Sequence, residues 1–208
     1  MAHPPPIVFV VDDDPAVRQA VESLLRSAGI TAQSFASARE FLDSAPTDAP
    51  ACVVLDVNLP GTSGLDLQRE LTGRDPALPV IFITGYGDIP TSVRAMKAGA
   101  VEFLAKPFRD EDLLNAIRQA LDKSRETQRT RAESAELHGR IDSLTPRERQ
   151  VLRFVIAGLL NKQIAYDLGI SEVTVKVHRA HVMQKMKARS VADLVRIAER
   201  VGIPPAQS

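Results

Sequence analysis

A short apolar run that stops at a carboxylate is the feature of this sequence that most restricts its fold. Residues 52–55 are Cys-Val-Val-Leu, and Asp56 follows directly, with Asn58, Pro60 and Gly61 close behind. A brief β-branched run of this kind is typical of a strand buried on both faces of a parallel sheet. Because Pro60 and Gly61 break strand pairing, we expect Asp56 at the carboxyl end of the strand, where open α/β sheets bind ligands. Taken alone, Asp56 could instead cap the next helix.

The start of the chain repeats this design. Residues 7–11 are all apolar, and Asp12 and Asp13 follow them. Up to about residue 121, strand and helix patterns alternate five times, with predicted strands at 7–11, 31–35, 52–56, 78–84 and 101–104. Such alternation predicts an α/β fold, a five-stranded doubly wound parallel sheet with helices on both faces.

The ends of four predicted strands place chemically active groups at one edge of this sheet. They are Asp12 with Asp13, then Asp56, Thr84 and Lys106. Three carboxylates that close together repel by several kcal/mol, and a hard divalent cation such as Mg²⁺ would relieve that repulsion. A hydroxyl and an ammonium facing the same point would bind phosphoryl oxygens, so the set suits metal-assisted phosphoryl transfer to a carboxylate. Singly, each group also has a structural explanation, such as a solvated charge for Lys106.

These residues lie in four motifs, VVDDDP (10–15), LDVNLPGTSG (55–64), FITGYGD (82–88) and VEFLAKPF (101–108). With them, residues 7 to about 121 resemble the receiver domain of bacterial two-component response regulators. The resemblance implies that Asp56 is the phosphoacceptor and that Asp12 and Asp13 form the acidic pair for Mg²⁺. It further implies that Asp13, Asp56 and the main-chain carbonyl of Asn58 ligate the metal directly.

The same resemblance assigns three residues to the response that follows phosphorylation. Thr84 is the switch hydroxyl, Lys106 pairs with the phosphoryl group, and Phe103 occupies the aromatic switch position. It also implies a cis Lys106-Pro107 peptide bond. One departure from the family pattern is Leu59, where Met usually precedes the proline, and we expect it to leave the chemistry intact.

The two halves of the chain carry opposite net charge. Residues 1–123 contain 11 Lys and Arg against 17 Asp and Glu, whereas residues 124–208 contain 15 against 9. An acidic half joined to a basic half indicates different partners for each, with a polyanion as a candidate for the second. Between them, residues 122–142 are polar, mixed in charge and helix-permissive. They predict a helical or flexible linker, and a short coiled coil stays open.

Composition places few further limits on function. An apolar content of 44% with 25% charged residues is ordinary for a globular protein. We expect neither a membrane span nor a signal peptide, because the sequence contains no 18-residue apolar stretch and no basic-then-apolar leader. One cysteine, Cys52, excludes an internal disulfide and fits a reducing cytoplasm.

Four capped helices are predicted beyond residue 143. Thr145 with Glu148 forms a capping box for the first, and Asn161, Ser171 and Ser190 are candidate caps for the others. A short helix, a turn with Gly169 and a capped basic helix suggest a helix-turn-helix. On its own, this pattern leaves open an ordinary four-helix bundle with a solvated basic face.

The third of these helices has two distinct faces. Residues spaced three or four apart would face the core, namely Val175, His178, Val182 and Met186. A small, mixed face lies opposite, made of Val173, Lys176, Val177, Ala180 and Gln184. Flanked by Arg179, Lys185, Lys187 and Arg189, that face suits a major groove between two phosphate backbones.

Three segments decide between these alternatives by resemblance: LTPRERQVL (144–152), GLLNKQIAYDLGISEVTVKVHRAHVMQKM (158–186) and ARSVADLVRIA (188–198). They are similar to the LuxR-type DNA-binding domain. The resemblance implies three base-reading residues, Lys176, Val177 and Ala180. It also implies candidate phosphate contacts from Thr174, Arg179, Lys187 and Arg189, and a structural role for His178.

As a whole, the chain resembles the FixJ-like branch of LuxR-type response regulators. This implies a receiver domain at 1–121, a linker at 122–142 and a DNA-binding domain at 143–208. The implied protein is a cytoplasmic transcription regulator that takes a phosphoryl group from a sensor histidine kinase. It would then form a homodimer and bind double-stranded promoter DNA, with RNA polymerase as a further partner.

An enzyme is the competing class of function. Phosphatases resembling the haloacid dehalogenases also use Mg²⁺ and an aspartyl nucleophile after a strand, and would form an aspartyl phosphate. They need a second Asp two residues later as acid and base, and this chain has Asn58 there. We therefore expect a regulator and not an enzyme. A phosphate sink without output is disfavoured by the helix-turn-helix pattern.

Overall fold

The computed structural model describes residues 4–44, 49–75, 78–85 and 89–206. Residues 86–88 of the third motif therefore lie outside the described residues. The chain divides into two compact units at Arg129 and Thr130. Each unit has its own apolar core.

The first unit is the predicted α/β fold. Its five strands are all parallel and lie in the order β2-β1-β3-β4-β5. Pro79 lacks an N–H and cannot donate to the strand ladder, so β4 begins at Val80 and not at the predicted residue 78. The elements are β1 (Ile7–Val11), α1 (Pro15–Ser27), β2 (Thr31–Phe35), α2 (Ala38–Leu42), β3 (Ala51–Asp56), α3 (Gly64–Arg74), β4 (Val80–Thr84), α4 (Ile89–Lys97), β5 (Glu102–Ala105) and α5 (Asp110–Asp142). The last of these helices continues past Arg129, where the first unit ends.

Alternating side chains of the strands build a core on each face of the sheet. On one face Phe9, Leu55 and Phe82 belong to a cluster with residues of α2, α3 and α4. On the other face Val10 and Val54 pack with residues of α1 and α5. Because every apolar residue of β3 and β4 is buried in one core or the other, a slip of one residue in register would move each side chain into the opposite core. The two cores therefore fix where each strand ends.

Strand register aligns the carboxyl ends of the sheet. Val11 lies opposite Leu55, so Asp12 follows β1 beside Asp56 at the end of β3. Asp56 lies opposite Ile83, and Thr84 is the last residue of β4. Lys106 follows β5, where the Lys106-Pro107 peptide bond is cis as expected.

The residues that open the predicted linker pack against the sheet of the first unit. Ser124 of α5 is buried, and its hydroxyl accepts a hydrogen bond from the N–H of Ala51 at 3.1 Å. The Gln128 side chain donates to the carbonyl of Ala49 at 3.0 Å. These two bonds attach α5 to the start of β3 through residues that follow position 121. The domain boundary at residue 121 stays a prediction.

The second unit contains the four helices expected from the capping residues. The caps at Thr145, Ser171 and Ser190 are confirmed, but the cap predicted at Asn161 is wrong. Leu160 takes that position, and its N–H donates to the side chain of Gln163 at 2.8 Å. The helices are α6 (Pro146–Ile156), α7 (Asn161–Leu168), α8 (Glu172–Lys185) and α9 (Val191–Arg200). Across the described ranges, no helix combines the length and apolar character required to cross a membrane.

Candidate functional site

The structure brings three carboxylates together at the carboxyl edge of the sheet. Asp12, Asp13 and Asp56 each offer one oxygen, and these oxygens all lie within 4.8 Å of one another. Asp12 is fully buried and Asp56 is 7% exposed, whereas Asp13 is open to solvent. The cluster offers several carboxylate oxygens and is open to solvent on the side of Asp13. Oxygen donors of this kind are the ligands that Mg²⁺ prefers, so the residues present fit this ion.

Lys106 neutralises part of this cluster. Its ammonium donates to Asp12 Oδ2 at 2.7 Å and to Asp56 Oδ2 at 3.2 Å. Burial raises the pKa of Asp12, and the bonds from Lys106 and from the N–H of Asp14 offset only part of this effect. Burial by itself would lower the pKa of Lys106, but the two carboxylates outweigh burial and raise it. The lysine therefore stays charged beside Asp56.

The backbone of the acidic pair is braced from α1. Arg18 donates from Nη1 to the carbonyl oxygens of Asp12 and Asp13, at 2.7 and 2.9 Å. Asp14 caps α1 by accepting a hydrogen bond from the N–H of Ala16 at 2.8 Å. Sequence reasoning missed Arg18, although its place one turn after the helix cap is where a side chain can reach back to the preceding loop.

Gly64 is a second residue whose role the sequence did not reveal. A Cβ built at Gly64 would lie 2.3 Å from the carbonyl oxygen of Asp56, far inside van der Waals contact. The N–H of Gly64 donates to the carbonyl of Val57 at 2.9 Å. Glycine thus lets the first turn of α3 lie directly against the end of β3, and this contact fixes the backbone of the candidate phosphoacceptor.

Thr84 and Phe103 lie on the neighbouring strands β4 and β5. Thr84 is fully buried and lies opposite Ala105. Phe103 is half-buried, with its ring centre 6.2 Å from that of Phe82. The nearby helix α4 exposes three large apolar side chains, those of Ile89, Val93 and Met96.

In the second unit, the two faces of α8 divide as the spacing predicted. Val175, Val182 and Met186 are buried, and His178 is half-buried beside them. The exposed face consists of Val173, Lys176, Val177, Ala180 and Gln184. The exposed face of α8 carries both polar and apolar side chains, and the opposite side of the helix is anchored in the core. The exposed face is therefore available to contact a groove of DNA.

One of the basic residues expected to flank this face is turned away from it. Lys185 donates to the carboxylate of Glu148 at 2.7 Å and to the carbonyl of Ser143 at 3.0 Å. The Glu148 side chain is only 4% exposed, and its bond from Lys185 lowers its pKa to about 2. Lys185 therefore fastens α8 to α6, and the expectation that it flanks the groove-facing surface is wrong.

The other predicted phosphate contacts have varied surroundings. Lys187 donates to Glu136 at 3.0 Å, while Arg189 is exposed on the turn that precedes α9. The hydroxyl of Thr174 lies 2.8 Å from that of Ser171 at the start of α8. Arg179 is half-buried at the edge of α8 that faces α7. Thr174 and Arg179 lie on α8, and Lys187 and Arg189 lie in the turn between α8 and α9.

Comparison with known families shows what these two units are. Residues 8–118 match the response regulator receiver domain, and residues 142–198 match the bacterial regulatory proteins of the luxR family. The chain belongs to the response regulator family. A receiver domain implies a sensor kinase as partner, and a LuxR-type domain implies DNA binding.

Several relatives of this response regulator match over nearly its whole length. Nodulation protein W of Bradyrhizobium diazoefficiens is 51% identical over 95% of this chain and 87% of its own length. The transcriptional regulatory protein FixJ of Azorhizobium caulinodans is 48% identical over 96% of this chain and 94% of its own. The solved structure of the response regulator StyR covers 95% of this chain and 100% of its own, with 50% identity and a TM-score of 0.89.

These findings confirm the fold and the general function expected from the sequence. The protein is a response regulator with a receiver domain and a LuxR-type DNA-binding domain, consistent with transcription regulation activated by phosphorylation. FixJ is a transcriptional regulatory protein and StyR a response regulator, and nothing in the comparisons supports the phosphatase alternative.

Proposed function

We propose that this response regulator accepts a phosphoryl group on Asp56 from a sensor histidine kinase and then binds promoter DNA as a homodimer in the cytoplasm. The observation that carries the proposal is the convergence of Asp12, Asp13, Asp56 and Lys106 at one sheet edge. In this proposal, the receiver domain is 1–121, the linker 122–142 and the DNA-binding domain 143–208.

The acidic cluster supports a Mg²⁺ requirement for this step. At a separation of 4.8 Å, the upper limit for these oxygens, and an effective dielectric constant of about 20, a pair of carboxylates repels by roughly 3–4 kcal/mol. Asp13, Asp56 and the main-chain carbonyl of Asn58 would hold the ion, with Asp12 beside them. When bound, Mg²⁺ neutralises charge on the carboxylates and on the incoming phosphoryl group. The ammonium of Lys106 binds another phosphoryl oxygen.

Phosphorylation would then act through Thr84 and Phe103. A phosphoryl group adds about −1.5 to −2 charge and three acceptor oxygens at Asp56. The Thr84 hydroxyl moves toward these oxygens and vacates space that Phe103 fills. This rearrangement biases the surface formed by α4 and β5, where Val93 and Met96 are exposed, toward a dimer contact.

The two DNA-binding domains of a dimer would bind the two halves of a promoter site. On α8, Lys176, Val177 and Ala180 contact base edges, and Thr174 and Arg179 contact phosphates. Lys187 and Arg189 add phosphate contacts beyond the end of α8. Doubling the phosphate contacts roughly doubles the slope of log affinity against log salt concentration. RNA polymerase would be a further partner and would contact the dimer bound at the promoter.

Selection of DNA from random duplexes, with and without acetyl phosphate and Mg²⁺, tests the acceptor and the output together. We expect the wild-type protein to dimerise and to enrich a two-part sequence only when acetyl phosphate is present. Asp56→Asn should do neither, while Asp43→Asn, an exposed carboxylate on the same unit, should behave as the wild type. Equal dimer formation by Asp56→Asn under these conditions, measured by light scattering, would refute the proposal. Steady turnover of a phosphomonoester would favour the phosphatase instead.

A further inference from the structure

We propose that Asn161 is a positioning residue for DNA binding, which holds the guanidinium of Arg179 ready for a backbone phosphate. The inference rests on the proposed DNA-binding function and adds to it a residue outside α8. Arg179 donates from Nη1 to Asn161 Oδ1 at 3.0 Å, and both side chains are half-buried. The bond joins the edge of α8 to the first residue of α7.

Asn161 does not serve its own helix as a cap. Leu160 occupies the cap position, and the Gln163 side chain satisfies the N–H of Leu160 at 2.8 Å. Among the described residues, the hydrogen bond of the Asn161 side-chain oxygen is the one that it accepts from Arg179.

The partner of Arg179 differs in charge from the partners of the neighbouring lysines. Lys185 pairs with the carboxylate of Glu148, and Lys187 pairs with that of Glu136. Arg179 instead bonds to a neutral amide, and among the described residues the structure places no carboxylate within ion-pair distance of it. Asn161 can therefore orient the guanidinium while leaving its positive charge available to an anion.

The position of Asn161 and Arg179 is suited to binding a phosphate of the DNA backbone. In a helix-turn-helix, the second helix lies in the major groove and the first crosses the sugar-phosphate backbone. Arg179 lies on the second helix, next to the exposed Ala180 and at the edge that faces the first helix. Its guanidinium carries five N–H donors in a fixed plane, so one can bond Asn161 while others address phosphate oxygens. Because Asn161 restrains the Arg179 side chain before DNA binds, less conformational entropy is lost on binding.

Salt-dependent binding of the full-length protein to a labelled mixed-sequence DNA duplex, with acetyl phosphate and Mg²⁺ present, tests this arrangement. Loss of one phosphate contact in Arg179→Ala should lower the slope of log affinity against log salt by about 0.9 per binding domain. Asn161→Ala should weaken binding roughly 3- to 10-fold because Arg179 loses its fixed orientation. In the Arg179→Ala background, Asn161→Ala should cause no further loss.

The variant Asn161→Asp tests whether Asn161 orients Arg179 for a phosphate or only attaches α7 to α8. The new carboxylate would still bond Arg179 and would suit a helix N-terminus, so thermal stability should be kept or raised. It would also neutralise Arg179, so DNA binding should fall below that of Asn161→Ala. Arg149→Ala is the matched control: it removes an arginine of α6 that pairs with Asp142 at the end of α5, and it should bind as the wild type.

Additive losses in the double variant, or Asn161→Asp binding as tightly as the wild type, would overturn the inference and leave the DNA-binding function standing. If the wild-type protein itself showed no salt-dependent binding, the proposed function and the inference would fail together.

Discussion

Replacing Glu148 by Gln should weaken the attachment of α8 to α6. The substitution leaves the residues on the exposed face of α8 unchanged. The Glu148 carboxylate accepts hydrogen bonds from the N–H of Thr145 at 2.8 Å and from Lys185 at 2.7 Å, and His181 lies 3.5 Å away. Gln can still accept the bond from Thr145, since capping boxes use either residue. The variant therefore removes the charge and keeps the shape.

The pKa of Glu148 sets the size of the expected loss. Chiefly because of the bond from Lys185, this pKa falls from 4.5 to about 2, and each pKa unit corresponds to 1.36 kcal/mol. The full shift would amount to roughly 3 kcal/mol. Lys185 is 34% exposed, so solvent screens the pair, and we expect a loss of about 1–2 kcal/mol.

The sign of the pH dependence follows from the direction of the shift. A carboxyl whose folded-state pKa is lowered stabilises the protein above its unfolded pKa, near 4.5 for Glu148. This stabilisation is lost as pH falls from about 4.5 toward 2, where the carboxylate becomes protonated in both states. The difference in stability between the wild type and Glu148→Gln should therefore be constant at neutral pH and shrink across that interval.

Hydrogen exchange measured by mass spectrometry on the full-length protein provides the assay, because it reports on α6 and α8 separately from the receiver domain. A loss of 1–2 kcal/mol corresponds to roughly 5- to 30-fold faster exchange in these helices at neutral pH. Lys185→Met and the double variant complete a double-mutant cycle, in which the two losses should not add. Wild-type protection in Glu148→Gln, or fully additive losses, would refute the reasoning.

Further predictions concern the acceptor site and the DNA contacts. Gly64→Ala should cost about 1–3 kcal/mol in denaturant unfolding and slow phosphorylation by acetyl phosphate, since its Cβ would collide with the carbonyl of Asp56; a wild-type rate would contradict this. Thr84→Ala should accept the phosphoryl group, seen by intact mass, but fail to dimerise in light scattering; normal dimerisation would dismiss the switch role. Lys176→Ala should relax sequence choice by about 1–3 kcal/mol at one base pair in a binding assay with single-site DNA variants. Arg189→Ala should weaken binding to all of these duplexes about equally, so a sequence-selective loss would count against a phosphate contact.

The sequence by itself determined the sheet and the place where its chemistry gathers. Apolar runs that end at Asp12 and Asp56 predict buried parallel strands, and the carboxyl ends of such strands meet at one edge whatever the details of packing. Helix caps at Ser171 and Ser190 were also predictable, because each bond spans only three residues.

Only the tertiary structure decided which polar side chains became partners. Lys185 bonds Glu148, 37 residues away, and Arg179 bonds Asn161, 18 residues away, instead of leaving Asn161 to cap its helix. The need for glycine at position 64 likewise arises from the approach of α3 to the end of β3. Such contacts depend on the distance and angle at which separate elements pack, and no local pattern of residues encodes them. The elements and the reactive edge thus follow from local sequence, whereas the contacts that hold each reactive group in position follow from the fold.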